Sequence, residues 1–115
     1  MTKSVLITGA GSGMGMATAL LLAGSGYRVF AGFRSSDAEL MAAAGERGLT
    51  IETVRLDVQD TASIREAVAH VVAGAGEIDV LVNNAGYGLL ATVEDGTDEE
   101  ILQQFDVNVL GLIHM

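Results

Sequence analysis

The 115-residue sequence contains no cysteine, no proline, no tryptophan and a single lysine, Lys3. Without cysteine there is no disulfide, no thiolate nucleophile and no cysteine-based metal site. Aromatic residues make up only 4% of the chain, so a core must be assembled from Val, Leu, Ile, Ala and Met. Basic residues are scarce: six Lys and Arg stand against 15 Asp and Glu, a formal net charge of −9. Such a surface disfavours nucleic acid and anionic membranes as partners. The two histidines, His70 and His114, lie far apart in sequence, and no metal site is expected. Long apolar runs are missing too. The stretch from Met16 to Ala23 is too short to span a bilayer, and Lys3 is followed at once by a strand pattern rather than a leader sequence. The expectation is a soluble, cytoplasmic protein.

Half of the residues are hydrophobic, enough for one domain spanning 1–115. Ser4 to Thr8 reads as a buried strand, and Ser12 to Gly24 as a helix that is apolar almost all round and therefore deeply buried. Tyr27 to Gly32 is a second strand. Ser36-Asp37-Ala38-Glu39 has the form of a capping box opening a helix to Arg47. Thr50 to Leu56 is a third strand. Asp60 or Thr61 caps a third helix with Ile64, Val68, Val71 and Val72 on one face, ended by Gly74 and Gly76. Ile78 to Val82 is a fourth strand and Gly86 to Gly96 a loop. Thr97-Asp98-Glu99-Glu100 is a second capping box, opening a helix with Ile101, Phe105, Asn108 and Leu112 on one stripe. Strands alternating with helices predict an α/β fold: a parallel, three-layer sheet of about four strands with helices on both faces. If the sheet is Rossmann-type, the expected strand order is 3-2-1-4.

The chemistry concentrates at the first turn. Val5-Leu6-Ile7-Thr8 leaves a strand, Gly9-Ala10-Gly11-Ser12-Gly13 turns, and Met14-Gly15 opens a helix. A helix start presents N–H groups without intrahelical acceptors and a partial positive charge. Glycines let a pyrophosphate approach that backbone closely, so Gly9, Gly11, Ser12, Gly13, Met14 and Gly15 are candidate phosphate contacts. The spacing is Thr8-Gly9-x-x-x-Gly13-x-Gly15, not the G-x-G-x-x-G form, which would need glycine at Met14. It resembles the T-G-x-x-x-G-x-G turn of the short-chain dehydrogenase/reductase family, which adds Thr8 to the candidate cofactor contacts.

In NAD-binding sheets an acid at the end of the second strand accepts bonds from the adenosine ribose. Here Phe33 stands at that place and Arg34 follows. A guanidinium can bind a 2′-phosphate bidentately where a carboxylate would repel it, which favours NADP over NAD as cofactor. An arginine at this point can also be simply a solvated loop residue. Ser35 and Ser36 offer hydroxyl contacts or helix capping. Asp57-Val58 closes the third strand at its carboxyl end, where ligands bind in parallel sheets. By itself that is equally a surface acid; the family resemblance implies an adenine contact.

Asn83-Asn84-Ala85-Gly86 closes the fourth strand. Two adjacent amides after a Val and Leu run make poor core filler, because buried amides need partners. The segment resembles the N-N-A-G motif of the same family, implying that Asn84, Ala85 and Gly86 line the cofactor path. Asp106-Val107-Asn108-Val109-Leu110-Gly111 is similar to the family segment whose asparagine completes a catalytic tetrad of Asn, Ser, Tyr and Lys, which makes Asn108 the candidate catalytic residue.

The other three tetrad members find no match. Neither Tyr27 nor Tyr87 is followed by lysine four positions on. The resemblance therefore implies the front half of a reductase that moves hydride between NADP and a carbonyl or alcohol substrate, inactive by itself. Two other readings stay open: a non-catalytic dinucleotide-binding module, and a truncation product that persists through self-association. A homodimer or higher homo-oligomer is expected, because the fourth strand would lie at a sheet edge with Val80, Leu81 and Val82 unprotected.

Overall fold

Two residue periodicities build the molecule. A computed structural model, which describes residues 2–115, has four strands: β1 (Ser4–Ile7), β2 (Arg28–Phe33), β3 (Glu52–Arg55) and β4 (Val80–Val82). Between and after them run α1 (Gly13–Gly24), α2 (Ala38–Glu46), α3 (Thr61–Ala75) and α4 (Asp98–Phe105). The chain continues from α4 through a π-helical stretch at Asp106–Gly111 into a last helical turn, α5 (Leu112–His114). All strand pairs are parallel, as the alternating pattern predicts, and the sheet order is the β3-β2-β1-β4 expected of a Rossmann-type sheet.

Alternate residues of the two central strands feed opposite layers, as the strand period of two requires. Val5, Ile7, Val29 and Ala31 face α1 and α2, packing on Ala19, Leu20, Leu40 and Ala44. Leu6 and Phe30 face the other way, onto Ile64, Ala67 and Val71 of α3 and Val107 of the π-helical stretch. Both faces of the sheet are covered, so the buried residues of β1 and β2 are apolar except Ser4 at the start of β1.

Several local expectations change in the folded chain. The first helix begins at Gly13 rather than Ser12 and is not buried all round: Met14 is 81% and Leu21 69% exposed. Only Gly15, Ala19 and Leu20 are buried, because small residues on one face let the helix lie close to β1 while the rest of its circumference points outward. The capping box expected at Ser36 to Glu39 does not form. Asp37 is the N-cap, but its carboxylate instead accepts from the Thr53 hydroxyl of β3 at 2.6 Å, and Ser36 Oγ accepts from the Ala38 N–H at 3.2 Å.

The third helix is capped by Asp60, which accepts from the N–H groups of Ala62 and Ser63. It runs through Gly74 and ends at Gly76, whose φ of 86° needs glycine. Its inner face carries Ile64, Ala67 and Val71, while Val72 points out. The second capping box does form: Glu100 N–H donates to Thr97 Oγ1 and Thr97 N–H to Glu100 Oε2.

In the last helix the expected stripe of Ile101, Phe105 and Leu112 is exposed, and Val107 and Gly111 are the buried residues. The π-helical stretch widens the turn and re-aims the side chains beyond Phe105, so a 3.6-residue count misplaces Leu112; Ile101 and Phe105 precede it, on α4, where no residue is buried. Among the described residues no helix is long and apolar enough to cross a membrane.

Candidate functional site

The carboxyl ends of the four strands converge on one cleft of about 840 Å³. Its floor is the β1–α1 turn, where Gly9, Gly11, Ser12, Gly13 and Met14 line it. Gly9 and Gly13 hold φ of 64° and 57°, a left-handed backbone that suits glycine. A side chain at Gly11 would stand 2.6 Å from the Ser36 carbonyl, so this position also keeps the turn close to the β2–α2 loop. Ser12 is the N-cap of α1 but makes no side-chain cap bond, which leaves the first N–H groups of the helix facing the cleft without a competing hydroxyl. The glycine cradle, the open helix start and the depth of the cleft fit a pyrophosphate.

One wall comes from the β2–α2 loop, where Arg34 and Ser35 line the cleft with Ser36 and Glu39. Among the described residues the one ion pair is Arg28 with Glu52, so the exposed Arg34 guanidinium has no acidic partner. The far end is made by Leu56, Asp57, Val58 and Gln59 at the close of β3. The opposite wall is Asn84, Ala85, Gly86 and Tyr87 after β4, with Gln103 and Val107 above it.

Three candidates do not line the cleft. Thr8 is 1% exposed, and its hydroxyl accepts from the N–H groups of Asn84 at 3.0 Å and Ala85 at 2.9 Å. Asn84 answers with its own amide, donating to the carbonyls of Thr8 at 3.2 Å and Gly9 at 3.1 Å. Gly15 is buried beneath this joint; a Cβ there would collide with the Gly9 carbonyl and the Asn84 amide. Thr8 and Gly15 thus hold the glycine turn in place from below. Asn108 lies on the π-helical stretch, and both ends of its amide are bonded to the Tyr87 backbone: Tyr87 N–H donates to Oδ1 at 2.9 Å, and Nδ2 donates to the Tyr87 carbonyl at 2.6 Å.

Sequence reasoning did not single out Gln59, Tyr87 or Gln103 as cleft residues, nor Glu39 as an acid on the same wall as Arg34. Gln59 and Tyr87 each directly follow a recognised segment, which was the available signal. Gln103 and Glu39 carried none, because their place depends on how α4 and α2 are laid over the sheet.

The sequence model of a family described as short chain dehydrogenase matches residues 3–115. The chain belongs to the short-chain dehydrogenase/reductase family. It is 34% identical over 111 residues to a 3-ketodihydrosphingosine reductase of Bacteroides thetaiotaomicron, an alignment covering 96% of this chain and 38% of that protein. It is 36% identical over 119 residues to human 17-beta-hydroxysteroid dehydrogenase type 1, covering 96% of this chain and 36% of the relative. Among solved structures, an actinorhodin polyketide ketoreductase variant with NADPH superposes with a TM-score of 0.92 at 32% identity, covering 98% of this chain and 44% of that one. The chain thus spans under half the length of these short-chain dehydrogenase/reductase relatives. The family fold carries a dinucleotide cofactor, and the cleft lies where the parallel sheet provides for one.

The joint beneath the cleft can be tested directly. Thr8→Val keeps the shape but removes the oxygen, leaving two buried N–H groups without their acceptor. It should cost about 2 kcal/mol or more in chemical denaturation, whereas Thr8→Ser, which keeps the oxygen, should cost about half as much. Equal stability of the two variants would remove the hydroxyl from the account.

Proposed function

We propose that this chain is the NADP(H)-binding portion of a short-chain dehydrogenase/reductase acting on a small carbonyl or alcohol substrate. The observation that carries the cofactor choice is the end of β2, where Phe33 and Arg34 replace the acid of NAD-binding sheets and Arg34 meets no carboxylate partner. In this reading the start of α1, with Gly9, Gly11 and Gly13, takes the pyrophosphate. Arg34 takes the 2′-phosphate with help from the Ser35 hydroxyl. Asp57 and Val58 meet the base, and Ala85 and Gly86 line the path to the nicotinamide. When bound, the nicotinamide supplies or accepts the hydride.

Asn108 is the one member of the family's Asn, Ser, Tyr and Lys tetrad for which the resemblance finds a match. Its two hydrogen bonds to the Tyr87 backbone support a role in holding the wall along which substrate enters. A lysine-paired tyrosine is what lets such a site pass a proton to the substrate, and neither Tyr27 nor Tyr87 has that partner. Hydride transfer therefore requires groups supplied from beyond these residues. The proposal includes a cytoplasmic setting and self-association. The latter is supported by the exposure of Val80 and Leu81 on β4, the outer strand, and of Leu102, Phe105 and Ile113 in the last helical segment.

Three outcomes follow. Arg34→Ala should weaken NADPH at least about tenfold in titration calorimetry while leaving NADH nearly unchanged; equal weakening of both would refute the 2′-phosphate assignment. The 115-residue chain should show no carbonyl-dependent oxidation of NADPH above background, and robust turnover lost in Asn108→Ala would mean that the catalytic apparatus is already present. Light scattering at micromolar concentration should give a dimer mass or larger, and a soluble monomer with cooperative unfolding would show that the β4 edge needs no partner.

A further inference from the structure

Gln59 is a half-buried cleft residue two positions beyond Asp57. Its backbone N–H donates to Asp57 Oδ1 at 3.0 Å, folding the end of β3 into a tight Asx turn. Its side chain is held from the opposite layer, where Nε2 donates to Asp106 Oδ2 at 3.0 Å. That bond settles which way the amide points. A carboxylate only accepts, so Gln59 must present its NH₂ to Asp106 and direct its oxygen elsewhere. Among the described residues Oε1 makes no hydrogen bond, and Gln59 is one of the residues that line the cleft.

The π-helical stretch clasps the same turn a second time. A Cβ at Gly111 would stand 2.7 Å from Val58 Cγ2, so only glycine lets the helix settle there. Asp106 and Gly111, at the two ends of that stretch, thus grip Gln59 and Val58 and keep the amide from turning over.

The sheet order places a base against this acceptor. Moving across the strand ends from β1 to β2 to β3, the glycine turn comes first, then Arg34, then the Leu56–Gln59 segment. With the pyrophosphate at the turn and the ribose phosphate at Arg34, the purine lies over the end of β3, where buried Leu56 and Val58 supply apolar wall.

We propose that Gln59, oriented by Asp106, is a specificity-determining residue for the base of the dinucleotide. Its Oε1 accepts from a 6-amino group and opposes the oxygen of a 6-oxo purine, so the cleft selects adenine over hypoxanthine. Asp106 is a positioning residue that touches no ligand itself. The second carboxylate oxygen of Asp57 shares this wall, so loss of Gln59 narrows the preference without abolishing it. The proposal rests on the dinucleotide reading above.

The experiment is titration calorimetry of the 115-residue chain with NADPH and with its hypoxanthine analogue, thermal melts serving as the check on folding. The unaltered chain should favour NADPH. Gln59→Ala should reduce that preference about fivefold, the equivalent of roughly one neutral hydrogen bond. Asp106→Asn lets the Gln59 amide turn over, because asparagine can donate as well as accept. It should narrow the preference chiefly by tightening the hypoxanthine analogue, a change that loss of structural support, which weakens both ligands alike, would not produce. Binding of both dinucleotides with the ratio unchanged within about twofold in both variants would overturn the assignment of Gln59 alone. Failure of the unaltered chain to bind either dinucleotide would overturn the cofactor reading, and base selection with it.

Discussion

One hydroxyl oxygen decides how the centre of this molecule is assembled. Thr8 leaves β1 in the interior, where its Oγ1 serves the N–H groups of both Asn84 and Ala85. Its own N–H donates to the Val82 carbonyl at 3.0 Å, and the Asn84 amide returns to the Thr8 and Gly9 carbonyls. Five hydrogen bonds thus join the ends of two neighbouring strands. β4 has only three residues, too few for its ladder alone to specify register strongly. Any slip would leave several buried polar groups unpaired at once, each costing about 1–3 kcal/mol. The register so imposed sets Asn84 over Gly15, and that in turn dictates where α1 begins.

The remaining walls of the cleft depend on the opposite layer. The π-helical stretch reaches both sides of it: Asn108 holds the Tyr87 backbone, while Asp106 and Gly111 hold Gln59 and Val58. A regular α-helix over Asp106–Gly111 would rotate these residues relative to one another, and the same segment could not meet both walls. Widening one turn of the helix is how a single element comes to serve two loops. Charge is spread along the same cleft, with Arg34 at the end of β2 and Asp57 at the end of β3.

The family relationship fits this layout. Relatives of more than twice the length carry the same strand order, and the described residues contain the part of the sheet that faces a dinucleotide.

The alternation of strands and helices, the glycine turn at Gly9 to Gly15, the cap at Asp60 and the box at Thr97 to Glu100 were all legible in the sequence. Each rests on residues within a few positions of one another, and backbone conformation is selected at that range. The order β3-β2-β1-β4 followed only once the glycine turn pointed to a Rossmann-type sheet, since right-handed crossover by itself allows other orders. What lay beyond the sequence depends on partners brought from afar. The box expected at Ser36 to Glu39 does not form: the N-cap falls to Asp37, whose carboxylate accepts from Thr53, 16 residues on. Gln59 joins the site because Asp106, 47 residues on, fixes its amide. The inner face of the last helix passes to Val107 and Gly111 because Val58 fills the space that a side chain at 111 would need. Local sequence determined what each segment could become. Packing across the sheet decided which atoms face the cleft, because only there do residues distant in the chain compete for the same hydrogen bonds and the same volume.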